Sequence, residues 1–357
     1  MSFPLASPLA KDLLRATHPH AMFYAGMRLL VAVSGGADSV ALLGLLRELA
    51  PQQGWVIEVA HFDHQLRAES AAEATFTRRL AESYGYAFHL GRPAAGPGRN
   101  LEAWARQQRY AYFYRLLEAG VADRVATAHT REDQAETVLL RLMRGTGTAG
   151  LAGILPVLVR VPGCPQLPGS GPRVIRPALG LARSAMREWL TVHQQNWCED
   201  PSNAWLSRRR NWVRHRLLPQ LAADLNPRIV EALASTAALA AEEEAWWLDV
   251  VAQAGGSLWR PVGNCMQASV AELRALPRAL RRRVLRAAIQ GLQGNLLGVG
   301  FEPVHQLSTW VEESSHRTRK LAFAAVTAEV NSTTLSLASR SSEPERRAVR
   351  KAPQSKF

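Results

Sequence analysis

The sequence predicts an α/β protein with a doubly wound, mostly parallel sheet, followed by a smaller, mainly helical domain. Over the first part of the chain, short apolar runs alternate with longer helix-like stretches, a pattern typical of parallel strands joined by helices. A glycine turn joins the first strand to the next helix. Beyond residue 203 this alternation stops and the remaining pattern is mainly helical. Together these observations favour two domains of different architecture.

The predicted elements of the first domain follow one another regularly. In a parallel sheet of this kind, ligands bind beyond the carboxyl ends of the strands, so the residues just after each strand are the candidates for a site. The predicted strands are 29–33, 55–61, 86–90 and 124–128, and the predicted helices are 5–17, 39–50, 69–84, 100–119 and 131–144.

The rest of the chain is less regular. Residues 145–171 are rich in Gly and Pro and predict a loop with a flap at 160–168. One more strand is expected at 173–176 and a helix at 183–195, and then helices at 208–222, 226–254 and 269–292 and a hairpin at 318–338. The predicted domains are 1–205 and 206–338, with a disordered basic tail at 339–357.

Composition and charge limit the classes of function. The 357 residues carry a net charge of +13, and residues 1–200 contribute +4 of it against +9 from 201–357. A basic second half suggests a nucleic-acid partner, although arginines on solvated faces would give the same excess. The three cysteines are far apart, with no C-x-x-C pair, which argues against a disulfide framework and a cysteine-based metal site. No signal-like segment and no long apolar run occurs, so we expect a cytoplasmic protein without a membrane partner.

The glycine turn is the strongest local signal. It follows a wholly apolar strand and leads into a helix, so its backbone N–H groups meet at a positive helix end and favour phosphate. It lacks the Gly-Lys-Ser/Thr of a Walker A loop and the third glycine of a dinucleotide fingerprint. The alternative is a tight turn with an Asp cap. The turn consists of Ser34, Gly35, Gly36, Ala37, Asp38 and Ser39.

Polar residues follow the other strands as well. His61 begins a His-x-x-His-x-Leu-Arg stretch that is able to line a nucleotide crevice, although simple loop hydrogen bonding explains it too. Arg106 and Arg109 share one face of a helix and are suited to phosphates, or they belong to a solvated face. After the fourth strand, Asp133 and Glu136 lie near His129. Two carboxylates and a histidine there suit Mg²⁺, an ammonium group or proton uptake.

Two runs rich in arginine occur in the second half. Residues 207–216 contain Arg208, Arg209, Arg210 and Arg214 around a tryptophan, a combination that fits RNA contact. Residues 278–286 are similarly basic, and for them RNA contact and a solvated helix face are equally good interpretations.

Several of these motifs, in this order, resemble one family. Ser34–Ser39 resembles the SGGxDS pyrophosphate loop of the N-type ATP pyrophosphatases, the PP-loop superfamily with a Rossmann-like sheet, whose members split ATP to AMP and pyrophosphate. Within it, the chain resembles tRNA(Ile)-lysidine synthetase. Two departures are Glu132-Asp133 in place of paired aspartates and Gln65 where Gly is common. The likeness is carried by residues 61–67, 102–110, 129–137, 144–147, 197–203 and 210–214.

The resemblance implies a reaction and roles for the residues. ATP adenylates the wobble cytidine of a tRNA(Ile) with a CAU anticodon, and L-lysine then displaces AMP to form lysidine. The catalytic group would be Asp38, Arg109, Asp133 and Glu136, with Asp38 also holding Mg²⁺. ATP would contact residues 34–39, His61 and Arg144; lysine would contact Asp133 and Glu136; and tRNA would contact Arg208, Arg209, Arg210 and Arg214. The oligomeric state stays open, with a homodimer as one option.

Other functions are weighed against this one. A tRNA thiolase of the same superfamily generally needs reactive cysteines in pairs, which this chain lacks. Amidation of the GMP-synthetase type is disfavoured by the basic second half. A nucleotide-regulated RNA-binding module without turnover is disfavoured because Asp38, Asp133 and Glu136 are all present.

Overall fold

The computed structural model describes residues 6–66, 70–94, 96, 100–161, 163–169, 171–199, 205–296, 298–313 and 317–340. The chain divides into two compact units at residues 242 and 243. The predicted domain boundary at 205/206 therefore stays a prediction, and the predicted tail lies outside the described residues from residue 341 onward.

The first unit is built on a six-stranded sheet in the order β3-β2-β1-β4-β6-β5, in which only β5 runs antiparallel to its neighbour. The parallel strands and crossover helices confirm the predicted doubly wound architecture. The strands are β1 (Arg28–Ala32), β2 (Val56–Phe62), β3 (Phe88–Gly91), β4 (Arg124–Ala126), β5 (Val157–Leu158) and β6 (Val174–Ile175). The helices are α1 (Pro8–Thr17), α2 (Ala37–Gln53), α3 (Ser70–Ser83), α4 (Leu101–Glu118), α5 (Arg131–Leu142), α6 (Thr148–Leu151), α7 (Arg183–Val192), α8 (Arg209–Trp212), α9 (Leu218–Asp224) and the start of α10 (Ile229–Gly256).

Helix α2 lies in the core of this unit, and its close contact with α7 fixes the position of α7. A Cβ atom on Gly44 of α2 would lie 2.1 Å from the indole of Trp189 on α7, so only glycine allows this approach. The Trp189 indole also donates to Glu48 at 3.0 Å. As a result, the first residue of α7, Arg183, is held near the carboxyl end of β1.

The second unit contains a five-stranded antiparallel sheet in the order β7-β8-β11-β10-β9. The predicted hairpin at 318–338 is thus part of a larger sheet, and the predicted helix at 269–292 is broken near Pro277. Buried side chains of the sheet and helices, such as Leu285, Leu307 and Leu337, form one apolar core. The elements are β7 (Arg260–Val262), β8 (Cys265–Ser269), α11 (Val270–Ala275), α12 (Arg278–Gln293), α13 (Phe301–Glu313), β9 (Arg319–Phe323), β10 (Val326–Val330) and β11 (Thr334–Ser339). No helix among the described residues is long and apolar enough to cross a membrane.

Candidate functional site

A cavity of about 850 Å³ opens at the carboxyl ends of β1, β2 and β4, as the fold rule for parallel sheets requires. The strand registers pair Ala32 with Ala60 and Val31 with Ala126, so the residues that follow these strands meet at one edge. The lining includes the glycine turn, His61, His129, Asp133, Arg109, Arg183, Cys198, Trp205, Arg208 and Arg214.

The glycine turn has the geometry of an anion site. Gly35 adopts φ +92°, a conformation that favours glycine, and its carbonyl accepts from the Cys198 backbone N–H at 2.9 Å. The Ser39 hydroxyl lies 3.1 Å from the Ser34 backbone N and donates to the Gly36 carbonyl, which keeps the turn tight. The capping residue of α2 is Gly36, which offers no side-chain acceptor. The first N–H groups of a 17-residue helix therefore face the cavity without a side-chain cap, as in a phosphate site.

Asp38 is suited to a cation. Its Oδ2 accepts from Arg183 at 3.1 Å, whereas its buried Oδ1 has no hydrogen-bond partner among the described residues. Burial raises the pKa of Asp38, against the opposing effect of Arg183. Mg²⁺ in nucleotide enzymes commonly uses one or two carboxylates together with substrate phosphates, and the unpartnered oxygen fits that use. In the described part of the chain, no three or more His, Cys, Asp or Glu side chains are arranged so that together they could hold a metal ion.

Two of the three histidines that line the cavity, His61 and His129, have lowered pKa values. The Nδ1 of His61 lies 2.8 Å from the Val33 carbonyl, which places its proton on Nδ1 and leaves Nε2 as an acceptor. Burial lowers the pKa of His61. Burial, followed by the positive charge of Arg176, lowers the pKa of His129 to about 3. Neither ring is therefore a cation for phosphate at neutral pH.

Asp133 and Glu136 lie in a compact ion cluster. Asp133 Oδ1 accepts from Arg183, Arg210 and Arg214 at 2.9, 3.0 and 3.3 Å. Glu136 is fully buried and accepts from the Nε atoms of Arg210 and Arg214, both at 2.7 Å. Burial opposes ionisation of Asp133, but Arg210 and Arg183 bring its pKa below the ordinary value. Together with Asp38, the cluster contains three carboxylates and three guanidinium groups, so its formal charges balance.

The structure separates the residues that the sequence grouped together. Arg210 and Arg214, predicted to contact tRNA, lie in the ion cluster with the predicted lysine ligands. Arg208 lies over the Trp205 ring at 5.4 Å and lines the main cavity. Arg209 and Arg144 line a second cavity, although Arg144 was predicted to contact ATP. Arg67 and residues 200–203 of the motifs lie outside the described residues.

Arg109 reaches the cavity from α4, beside a group of buried polar side chains. The Tyr110 hydroxyl accepts from Arg106 at 3.2 Å and from Arg176 at 3.3 Å. Burial opposes ionisation of Tyr110, yet Arg176 and Arg106 bring its pKa below the ordinary value. This side of the cavity is positive, in contrast to the balanced ion cluster.

Sequence reasoning missed two arginines of the site, Arg176 and Arg183. Arg183 is the first residue of α7, where the helix dipole disfavours a cation. An arginine at the first position of a helix could have been recognised from the sequence as a site candidate, because its charge needs carboxylate partners from other parts of the fold. Arg176 follows β6 directly, which places it at the same sheet edge as the other site residues.

Comparisons of the sequence with known families and proteins give consistent matches. The PP-loop domain matches residues 7–221, and the TilS substrate binding domain matches residues 269–331. The tRNA(Ile)-lysidine synthase of Solibacter usitatus is 44% identical over 80% of this chain, which spans 62% of that protein. Those of Nostoc sp. and Gloeobacter violaceus are 32% and 35% identical over 85% and 78% of this chain, which spans 89% and 79% of them.

A solved structure supports the fold. The U34-tRNA thiolase NcsA from Methanococcus maripaludis superposes with a TM-score of 0.53 at 16% identity, covering 66% of this chain and 79% of that one. Against relatives such as the Solibacter protein, this chain spans about three fifths of the length. The chain belongs to the tRNA(Ile)-lysidine synthase family of PP-loop proteins.

Proposed function

We propose that this protein ligates L-lysine to C2 of the wobble cytidine of tRNA(Ile) with a CAU anticodon, in the cytoplasm. ATP adenylates the C2 oxygen with release of pyrophosphate, and the lysine amine then displaces AMP to leave lysidine. The observation that carries the proposal is that the uncapped glycine turn, Asp38 and Asp133 line one cavity. Fully buried Glu136 is joined to Asp133 through the arginines that the two carboxylates share. A phosphate site and an acidic site thus lie within reach of the same bound base.

The first step uses the glycine turn and Asp38. The N–H groups that begin α2 bind the departing pyrophosphate, and Arg109 neutralises negative charge from the side of α4. Mg²⁺ held by Asp38 and the ATP phosphates would supply further charge stabilisation. Neutral His61, with Nε2 as acceptor, is suited to a hydroxyl or amino group of the nucleoside and not to a phosphate.

The second step requires an exchange of cations in the ion cluster. A lysine ammonium is able to bind Asp133 and Glu136 only when a guanidinium withdraws from them. Arg210 is the most exposed of the three arginines, at 38% against 17% for Arg183 and 23% for Arg214. We therefore assign the exchange to Arg210, whose guanidinium would move to a tRNA phosphate. The lowered pKa of Asp133 suits ammonium binding better than proton uptake.

Sulfur chemistry is less compatible with the cavity. Cys198 lines it, and burial raises the pKa of its thiol, so the reactive thiolate is disfavoured. No second cysteine appears in the lining.

The test is a direct assay of the full chain. Incubation with ATP, Mg²⁺, labelled lysine and a tRNA(Ile) transcript with a CAU anticodon should transfer label to RNA and release pyrophosphate. A transcript with uridine at the wobble position should accept none. Asp38→Ala should lower pyrophosphate release by about a hundredfold or more. Pyrophosphate release without lysine transfer to any tRNA would contradict the proposal, and sedimentation of the same sample tests the homodimer.

A further inference from the structure

A second cavity, of about 320 Å³, lies between the end of α5 and the segment that leads into α8. It belongs to the first unit, and no step of the proposed reaction uses it. Its lining consists of Leu140, Met143, Arg144, Leu206, Ser207, Arg209, Trp212 and Val213.

The cavity combines exposed apolar side chains with two arginines that have no carboxylate partner in the described part of the chain. Met143, Leu206 and Trp212 are each at least 40% exposed, and exposed apolar groups that lie together mark binding surfaces. Arg144 and Arg209 have no carboxylate partner among the described residues, unlike Arg210 and Arg214 nearby. An aromatic ring flanked by free guanidinium groups is how single-stranded nucleic acid is held, with bases on the ring and phosphates on the cations.

Charge favours RNA over a second copy of this chain as the occupant. The chain has a net charge of +13, so a second copy would bring like charge to Arg144 and Arg209. An RNA strand brings one negative charge with each nucleotide.

The two cavities share their supporting elements. Asp133 on α5 faces the main cavity, and Leu140 and Met143 of the same helical segment line the second one. At 1.5 Å per residue, these positions are about 10 to 15 Å apart along the helix axis. Residues 205–214 also contribute to both linings, with Trp205 and Arg208 on the main cavity and Leu206 and Arg209 on the second.

We propose that the second cavity binds an unstacked base of the tRNA anticodon loop, a neighbour of the wobble cytidine. The base lies against Trp212 and Met143, and its flanking phosphates contact Arg144 and Arg209. This inference rests on the proposed function, because it places the wobble cytidine in the main cavity. It gives the enzyme a second contact with the loop that does not depend on the reacting base.

The test removes the base and the ring separately and together. Stem-loop RNAs with the CAU anticodon, each with one abasic loop position other than the wobble cytidine, are titrated by fluorescence anisotropy at fixed salt. At one position, the abasic RNA should bind the wild-type chain about tenfold more weakly. Trp212→Ala should weaken binding of the intact RNA to a similar extent, and it should bind that abasic RNA no more weakly than the intact RNA.

Two further variants control the experiment. Met143→Glu changes an exposed position of the same cavity and should also weaken RNA binding. Agreement between the two variants would show that the weaker binding of Trp212→Ala does not come from misfolding. Trp246→Ala, an exposed tryptophan of α10, should leave the whole abasic profile unchanged.

The outcomes separate this inference from the proposed function. If lysine is incorporated but the Trp212→Ala variant binds every abasic RNA more weakly than the intact RNA, the cavity does not hold a base. If Trp212→Ala lowers self-association and leaves RNA binding intact, the occupant is a second copy and the inference is wrong. If the coupling is found but no lysine is transferred, the base site stands and the proposed chemistry fails.

Discussion

Residues 207–216 and residues 278–286 each contain five arginines around apolar side chains, yet the structure uses them differently. In the first run, Arg210 and Arg214 turn inward to the ion cluster with Asp133 and Glu136. In contrast, Arg209 lines the second cavity without a carboxylate partner among the described residues. The first run therefore divides its charge between an internal and an external role.

In the second run, on α12, the central arginines serve the fold of their own unit. Arg281 is buried, donates to Ser308 at 3.1 Å and pairs with Glu312. Arg283 pairs with Glu244 at 2.7 Å, and Arg282 lies over the Phe301 ring at 5.1 Å. The structure thus favours neither RNA contact nor a purely solvated face for these three residues. The use of an arginine run depends on which carboxylates and rings the fold brings to it.

The largest expected difference between the runs concerns buried charge. Glu136→Gln should lower the free energy of unfolding by about 3 to 5 kcal/mol, because it leaves excess positive charge in a fully buried place. The matched change in the second run, Glu312→Gln, should cost less, about 1 to 2 kcal/mol, because buried Arg281 keeps its bond to Ser308 and water reaches position 312. Urea unfolding of both variants measures this, and equal costs would remove the distinction.

A pH series sharpens the description of the first run, because Arg210 contributes to the low pKa of His129. The pKa of about 3 in the folded chain lies below the ordinary value of 6.5, so the unfolded chain binds this proton first. The contribution of neutral His129 to the free energy of unfolding is therefore fully present above pH 6.5 and is lost as the pH falls towards 3. Between pH 6.5 and 4 the loss should be roughly 3 kcal/mol.

His129→Gln isolates this effect from the carboxylates that titrate in the same range. Urea unfolding at several pH values should give a flatter profile for the variant than for the wild-type chain. Parallel profiles would show that His129 titrates normally in the fold.

A smaller effect is expected from Arg281. Arg281→Met should lower the free energy of unfolding of the second unit by about 1 to 2 kcal/mol, because buried Ser308 loses its partner while exposed Glu312 regains water. RNA affinity should stay unchanged, as measured by anisotropy at fixed salt. A loss of RNA affinity with unaltered stability would return Arg281 to an RNA-contact role.

The smallest effect compares one residue from each run in RNA binding. Arg209→Gln should reduce the slope of log affinity against log salt concentration by about 0.7, the value for one phosphate contact of a single strand. Arg282→Gln should leave the slope unchanged. Titrations at four salt concentrations are enough to measure both, and identical slopes for the two variants would contradict the proposed contrast.

The sequence predicts the sheet of the first unit well because its signals are local. Apolar runs at 29–33 and 55–61 can be buried on both faces only in a central parallel sheet, and Gly35-Gly36 between a strand and a helix has few other uses. The sheet of the second unit was missed in part because strands such as Cys265–Ser269 are short and partly exposed. A short stretch of mixed polarity looks much the same in a helix and in an edge strand.

Local sequence patterns could not predict which residues of the site pair with one another. Arg210 and Arg214 pair with acidic residues 74 to 81 positions earlier, and composition alone does not identify which carboxylate meets which arginine. The left-handed backbone at Gln65, with φ 54°, is a conformation that Gly adopts readily, which accords with the Gly of the motif that this stretch resembles. It could be inferred only from the motif comparison and not from the residue itself.

The contact between Gly44 and Trp189 has a consequence for how such sequences diverge. Because no Cβ fits at position 44 beneath the indole, a mutation there would displace α7 and with it Arg183, which bridges Asp38 and Asp133. We therefore expect the two positions to vary together, although they are 145 positions apart in the chain. In relatives that carry Ala or Ser at the position of Gly44, we expect a smaller residue at the position of Trp189, an exchange that an alignment of the family can reveal.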